Sequence, residues 1–221
     1  MIDLDLLVED VEVIDKKEAA REEWLQKRAG RITCSRFGDL IGEGKAKDAL
    51  FTQTGYAYLQ LLVAERLGSW YSFGSSATQW GTENESVAID EYRRLTGNEV
   101  DSTPFNFFSY NAWIGGTPDG LVGIDGTIEV KCPFNPSVHI GTLLSKTVPK
   151  EYEWQVYGHM LVTARKWCDF ISFDPRIEGK QKIAIVRVDR DEAKIAFLAS
   201  RLDLAVKVMS DMMSKVGCEY E

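Results

Sequence analysis

The hydrophobic positions of this chain recur with two periods, and the switch between them divides it into elements. Over residues 16–30, "KKEAAREEWLQKRAG", Ala20, Trp24 and Lys27/Arg28 recur at helical spacing, and Gly30 is a stop signal. The next stretch, "RITCSRFGDLIGEGK", offers Thr33 as the N-cap of a short helix that leaves through Gly42 and Gly44. A long helix is predicted over "DALFTQTGYAYLQLLVAERLG", with Tyr58, Leu61, Leu62, Glu65 and Arg66 on one stripe and Gly68 at its end. A second, "SSATQWGTENESVAIDEYRRLTGN", carries the stripe Trp80, Asn84, Val87, Ala88 and Glu91 and stops at Gly97. Short β-like runs then take over: "FNFFSY", "AWIGGTPDGLVG" and "GTIEVKC". "KEYEWQVYGHMLVTAR" returns to helix, and "WCDFISF" with "KIAIVRV" makes a second strand pair. A long amphipathic helix closes the pattern, with Ile195, Leu198, Leu202, Ala205, Met209 and Met212 in line. The expectation is an α/β fold, a central mixed β-sheet flanked by helices, in one domain spanning 1–221.

Composition narrows the chemistry. A chain of 221 residues is long enough to bury one full core. No apolar run approaches the ~20 residues that span a bilayer, and the acidic "MIDLDLLVEDVEVID" is unlike a signal or transit peptide. Cys34, Cys132, Cys168 and Cys218 lie far apart, so neither a disulfide framework nor an iron–sulfur cluster is expected. A reducing cytoplasm is the expected compartment, with no membrane partner. The two histidines, His139 and His159, argue against a zinc site. The net charge of −8, taken alone, argues against a nucleic-acid partner.

One short apolar hairpin is out of place in such a chain. "GGTPDGLVGIDGTIEVKCP", residues 115–133, holds Asp119, Glu129 and Lys131 where a covered sheet buries side chains. Glu129 and Lys131 are two apart on a strand and share a face. A two-residue turn at Asp125-Gly126 would pair Asp119 with Cys132 and send it to the other face. A three-residue loop, Ile124–Gly126 with Gly126 left-handed, pairs it with Lys131 and gathers all three on one face; that register is the expected one. A solvated charged edge is the plainer alternative, but apolar residues flank the charges on both sides. Burying two carboxylates beside one amine costs several kcal/mol unless a cation joins them. Oxygen ligands without histidine select Mg²⁺, with Mn²⁺ able to substitute.

"PD" at 118–119 followed by "EVK" at 129–131 is the PD-(D/E)XK signature, which implies a restriction-endonuclease-like core. Three flanking stretches sharpen it. "QWGTENE" (79–85) resembles the acidic helix motif of the phage lambda exonuclease family of viral recombination nucleases. "WLQKRAGRITCSRFG" (24–38) resembles its opening motif, and "EYEWQVYGHM" (151–160) its helix with a central glutamine, Gln155. The resemblance runs in consistent order over 20–165. It implies a phosphodiester hydrolase with two metal ions per active site. Asp119 would bridge the metals, with Glu129 and the Val130 carbonyl as further ligands. Lys131 would orient or deprotonate the attacking water, Glu85 would be a third carboxylate for metal or water, and Gln155 would support them.

The same resemblance makes "RAGRITCS" part of a pocket for a terminal 5′-phosphate. Thr33 would cap a helix whose free N–H groups attract an anion, with the Ser35 hydroxyl in its first turn; Arg28 supplies a charge-assisted fork and Thr117 another hydroxyl. Lys45 and Lys47, in the glycine-rich loop, are expected DNA-backbone contacts. The implied activity is 5′→3′ digestion of one strand of linear double-stranded DNA from 5′-phosphorylated ends. It would leave 3′ overhangs for a single-strand-annealing partner. The family's homotrimeric rings thread DNA through a central channel, so an acidic exterior is compatible with DNA. Two alternatives stay open. A structure-selective or restriction-type endonuclease shares Asp119, Glu129 and Lys131 but needs no phosphate pocket; a non-catalytic DNA-binding module needs no metal-dependent chemistry.

Overall fold

The computed structural model describes residues 16, 18–69 and 76–217; the acidic opening stretch, Lys17, Ser75 and Cys218 lie outside them. The elements run α1 (18–28), β1 (Ile32–Thr33), a 3₁₀ turn (Cys34–Leu40), α2 (Gln53–Arg66) and α3 (Ser76–Thr96). Five short strands follow: β2 (Val100–Asp101), β3 (Phe108–Ser109), β4 (Ile114–Gly116), β5 (Gly120–Val122) and β6 (Gly126–Lys131). The rest are α4 (Pro136–Ser145), α5 (Lys150–Thr163), β7 (Trp167–Phe173), β8 (Ile183–Asp189) and α6 (Glu192–Lys215). Among the described residues no helix is long and apolar enough to cross a membrane.

Local chemistry sets the helix ends. The Thr52 side chain accepts from the Gly55 N–H at 3.2 Å, so α2 starts at Gln53 instead of Asp48, which is left-handed (φ 66°). Its buried line is Tyr58, Leu59, Leu62 and Val63. Glu65 and Arg66, placed on that line by the sequence pattern, instead grip Gly30 beyond α1. Glu65 Oε2 accepts from its N–H (2.8 Å), and Arg66 Nε donates to its carbonyl (2.6 Å). On α3 the buried residues are Ala88, Ile89, Glu91 and Tyr92, so Ala88 and Glu91 of the predicted stripe are inside while Val87 is half exposed. On α6 the predicted line holds from Ile195 to Met209 and ends on Met213, with Met212 only partly buried. The sequence pattern does not predict α4. Asn135 starts it, accepting from the Ser137 N–H at 3.0 Å, with Pro136 in the first turn.

"AWIGGTPDGLVG" is two strands in two sheets. β4 lies between β1 (parallel) and β3 (antiparallel) in a small sheet. There Gly116 backs onto Cys34 so closely that a Cβ would meet its sulfur at 2.2 Å. The chain then crosses through Thr117-Pro118-Asp119 into a five-stranded sheet of order β2-β5-β6-β7-β8. That sheet is mixed, as expected: β6 and β7 are parallel and the other pairs antiparallel. One face packs on α3, where Ala88, Ile89 and Tyr92 meet Ile128, Val130, Ile171 and Phe173. On the other, Cys168 and Phe170 join a larger core with α2, α5 and α6.

The β5–β6 register corrects the hairpin expectation. Gly120 pairs with Ile128 and Val122 with Gly126, so the loop is Gly123–Asp125, and extending the ladder sets Asp119 opposite Glu129, not Lys131. The left-handed residue is Gly123 (φ 52°). Gly126 is a strand residue, glycine because a Cβ would enter the Trp167 ring at 2.1 Å. A shift of two residues preserves the face, so Asp119, Glu129 and Lys131 stay together.

Candidate active site

Strand β6 carries Glu129 into the space between the sheet and α5. Its carboxylate is 1% exposed, with Oε1 2.5 Å from Lys131 Nζ and Oε2 2.6 Å from Nε2 of His159, itself 1% exposed. Asp119 stands in the bend before β5 and ties the strands together: its Oδ2 accepts from the Val130 N–H at 2.7 Å. Lys131 Nζ also sits 5.0 Å over the Tyr152 ring. Sequence reasoning missed His159 as a partner of Glu129. It lies four residues after Gln155, on the same helical face, which was the available signal.

Charge in this cluster is strongly coupled. Burial works against the Glu129 carboxylate, but Lys131 and His159 outweigh it and hold its pKa at about 2. Burial likewise opposes the His159 imidazolium, and Cys34 and Glu129 beside it carry the pKa up to about 10. Asp119 is pushed well above the usual carboxylate range, by burial first and then by the fields of Glu129 and Glu85. Glu85, on α3, is raised by burial and by Glu129. Burial, with Glu85 and Asp119, lifts the Cys132 thiol to about 12, which leaves it no thiolate chemistry at neutral pH.

These groups line a cleft of about 560 Å³ that contains Glu85, Asp119, Glu129, Val130, Lys131, Tyr152 and Gln155. Three carboxylates face one ammonium there, and no histidine lines it. An excess of buried carboxylate oxygen suits a hard divalent cation, which would relieve both the burial that raises the pKa values of Asp119 and Glu85 and the carboxylate repulsion that adds to it. The donors do not close into a cage. Among the described residues no three Asp, Glu, Cys or His groups cluster at ligand spacing, with Glu129 held by Lys131 and His159.

A second cleft of about 580 Å³ opens from the first through Thr82, Glu85, Asp119 and Gln155, and it brings in Arg28, Ser35 and Thr117. Trp24 organises this wall. Its Nε1 donates to Thr117 Oγ1 at 2.8 Å, and Arg28 lies 4.3 Å over its ring. Among the described residues the Arg28 side chain has no hydrogen-bond or ion-pair partner, leaving its guanidinium free for a ligand. Three sequence expectations do not join this wall. Thr33 is buried at the start of a seven-residue 3₁₀ turn, its side chain caps nothing, and its N–H goes to the Tyr58 hydroxyl at 3.0 Å. Lys45 and Lys47 are exposed on the loop before α2 and line neither cleft.

The model of the YqaJ-like viral recombinase domain matches residues 23–166. The chain belongs to the YqaJ-like viral recombinase family. That span contains every motif from Arg28 to His159 and upholds the resemblance to the lambda exonuclease type. Among solved structures, this YqaJ-like chain is similar to an alkaline exonuclease, LHK-Exo, from Laribacter hongkongensis. The two are 32% identical over 88% of this chain and 95% of that one, with a TM-score of 0.79. The same protein in complex with dAMP aligns with a TM-score of 0.75 over 88% of this chain and 97% of that one, again at 32% identity. A phage-related exonuclease from Haemophilus somnus 129PT, 21% identical, shares the fold over 85% of this chain and 96% of that one, at a TM-score of 0.72. None of the curated proteins compared matches. The α/β architecture of this YqaJ-like member is thus that of the alkaline exonuclease structures, consistent with a restriction-endonuclease-like core.

Proposed function

We propose that the chain is a metal-dependent exodeoxyribonuclease that digests one strand of linear double-stranded DNA 5′→3′ from 5′-phosphorylated ends. The observation that carries this reading is the joining of the two clefts: the carboxylate cleft opens, past Asp119, Glu85 and Gln155, onto the wall of Arg28, Ser35 and Thr117. A restriction-type endonuclease needs the first cleft alone. An enzyme that starts at an end needs somewhere to hold the terminal phosphate, and an arginine stacked on Trp24 without an ion-pair partner, in a cleft shared with two hydroxyls, suits that task.

Asp119, Glu129 and the Val130 backbone would hold Mg²⁺, two ions per site, with Glu85 as a further ligand or water-binding group. Held by these residues, a divalent metal would supply Lewis-acid polarisation of the scissile phosphate, a lowered pKa for the attacking water and charge stabilisation for the leaving oxygen. His159 and Lys131 fix the Glu129 carboxylate between them, and Lys131 would orient or deprotonate the attacking water. Arg28 draws the terminal phosphate beyond the scissile bond and so sets the position of the cut. The digested duplex would carry a 3′ overhang suited to a single-strand-annealing protein. A homotrimeric ring of single-domain chains around the DNA would retain it despite the net charge of −8; those assembly features rest on the family resemblance. Asp119→Ala, Glu129→Ala and Lys131→Ala should each abolish Mg²⁺-dependent DNA degradation while the far-UV circular dichroism stays unchanged. Near-wild-type turnover in any of the three would overturn the assignment.

A further inference from the structure

Phosphate chemistry accounts for the charged lining of both clefts, but a nucleotide also carries a base, and no residue given a role so far meets one. Three residues beyond Lys131, Phe134 stands on the lip of the carboxylate cleft with 56% of its surface exposed. It is nonetheless held firmly. Its ring meets Trp80 of α3 edge-on, with centroids 6.1 Å apart at 85°. Arg176 fixes it from behind, donating to the Phe134 carbonyl at 3.1 Å while its guanidinium lies 4.8 Å over the Trp80 ring. Arg176 is anchored in turn by a 2.7 Å pair with the buried Asp174. An exposed aromatic normally gains by folding against the core; this one is braced at its backbone and presented to the cleft.

Resting on the nuclease reading above, we propose that Phe134 is a stacking platform for a base of the strand being cut, with Trp80 and Arg176 as its positioning residues. Trp80 is partly buried with Arg176 over its ring, whereas Phe134 is the exposed member of the aromatic pair. Stacking suits an enzyme that must process any sequence, because every base has a π-face and none need be read by hydrogen bonds. It also gives the strand a second hold beside the phosphates, and one that does not weaken with salt as backbone contacts do.

The test is a double-mutant cycle between side chain and base. Wild type, Phe134→Ala and Phe134→Tyr are titrated in Ca²⁺ with a 5′-phosphorylated duplex, and with duplexes lacking one base at the first, second or third nucleotide of that strand. KM and kcat are measured in Mg²⁺ alongside. Phe134→Ala should weaken binding of the intact duplex about 5- to 150-fold, and Phe134→Tyr should restore it. One of the abasic duplexes should bind wild type as weakly as the intact duplex binds Phe134→Ala, with no further loss when both changes are combined. Unchanged binding by Phe134→Ala, or an equal penalty on every abasic duplex, would overturn the stacking role. So would an altered oligomeric mass of Phe134→Ala by light scattering, which would make the ring a subunit contact. A wild-type chain that neither binds nor cuts the duplex overturns the nuclease reading with it. One that cuts but shows no coupling overturns the platform alone.

Discussion

Replacing His159 by Ala removes one of the two groups that hold Glu129 between β6 and α5. Both side chains are 1% exposed and meet at 2.6 Å, so water cannot take the place of the imidazole without opening the contact between helix and sheet. Removing one partner of a buried pair costs about 3–5 kcal/mol, because the other is left charged and under-solvated. Lys131 remains 2.5 Å from the second carboxylate oxygen, which sets the expectation near the lower end, about 3 kcal/mol. At a urea dependence of about 1–3 kcal/mol per molar, the unfolding midpoint should fall by roughly 1–3 M. The assay is urea unfolding in EDTA for wild type, His159→Ala, Glu129→Gln and the double variant. If the two groups act as a pair, the double variant loses less than the sum of the singles by about 2 kcal/mol. Repeating the series in Mg²⁺ should narrow the His159→Ala deficit, since a cation at Glu129 replaces the missing positive charge. A His159→Ala chain within about 1 kcal/mol of wild type, or strict additivity, would refute the reasoning.

Three other outcomes follow from the same geometry. Arg28→Ala should shrink the preference for 5′-phosphate over 5′-hydroxyl ends by about ten- to a hundredfold, the worth of a charge-assisted contact of roughly 1.5–3 kcal/mol felt in the transition state. Equal wild-type rates on both ends would remove the pocket from the mechanism. Ca²⁺ should support DNA binding without cleavage, because it accepts the same oxygens with looser geometry; robust hydrolysis in Ca²⁺ alone contradicts this. Tyr92, whose hydroxyl donates to the buried Asp169 at 2.7 Å, has its pKa pushed up to about 12 by burial and then by Asp169. The native state therefore keeps a proton that the unfolded chain releases near pH 10, so stability should hold below pH 10 and fall as pH rises toward 12. Tyr92→Phe should cost about 1–2 kcal/mol at neutral pH and flatten that alkaline fall; an unchanged alkaline slope would contradict it.

The candidate site was legible because its geometry is local. Asp119, Glu129 and Lys131 belong to one hairpin, and a period of two makes their common face immune to a register error of two residues, which is the error the sequence invites. Gly126 looked like the turn residue because Asp-Gly is the usual turn pair. Its real constraint, the Trp167 ring, comes from a strand forty residues later. His159 was visible at the right spacing from Gln155, yet only the packing of α5 on β6 makes it a partner of Glu129. The helix α4 hides because it is ten residues long, with a proline in its first turn and Gly141 inside. Lys45 and Lys47 sit on a loop pinned from α6, where Arg201 donates to the carbonyls of Leu40 (2.9 Å) and Leu50 (2.6 Å). No local pattern in the sequence announces a contact made across a hundred and fifty residues.

Incubation with Mg²⁺ of linear 5′-phosphorylated duplex DNA beside covalently closed circular duplex tests the central claim most directly. Degradation of the linear DNA from its 5′ ends to 3′ single strand, with the circle left intact, is the predicted result; loss of the circle, or persistence of both, would contradict it.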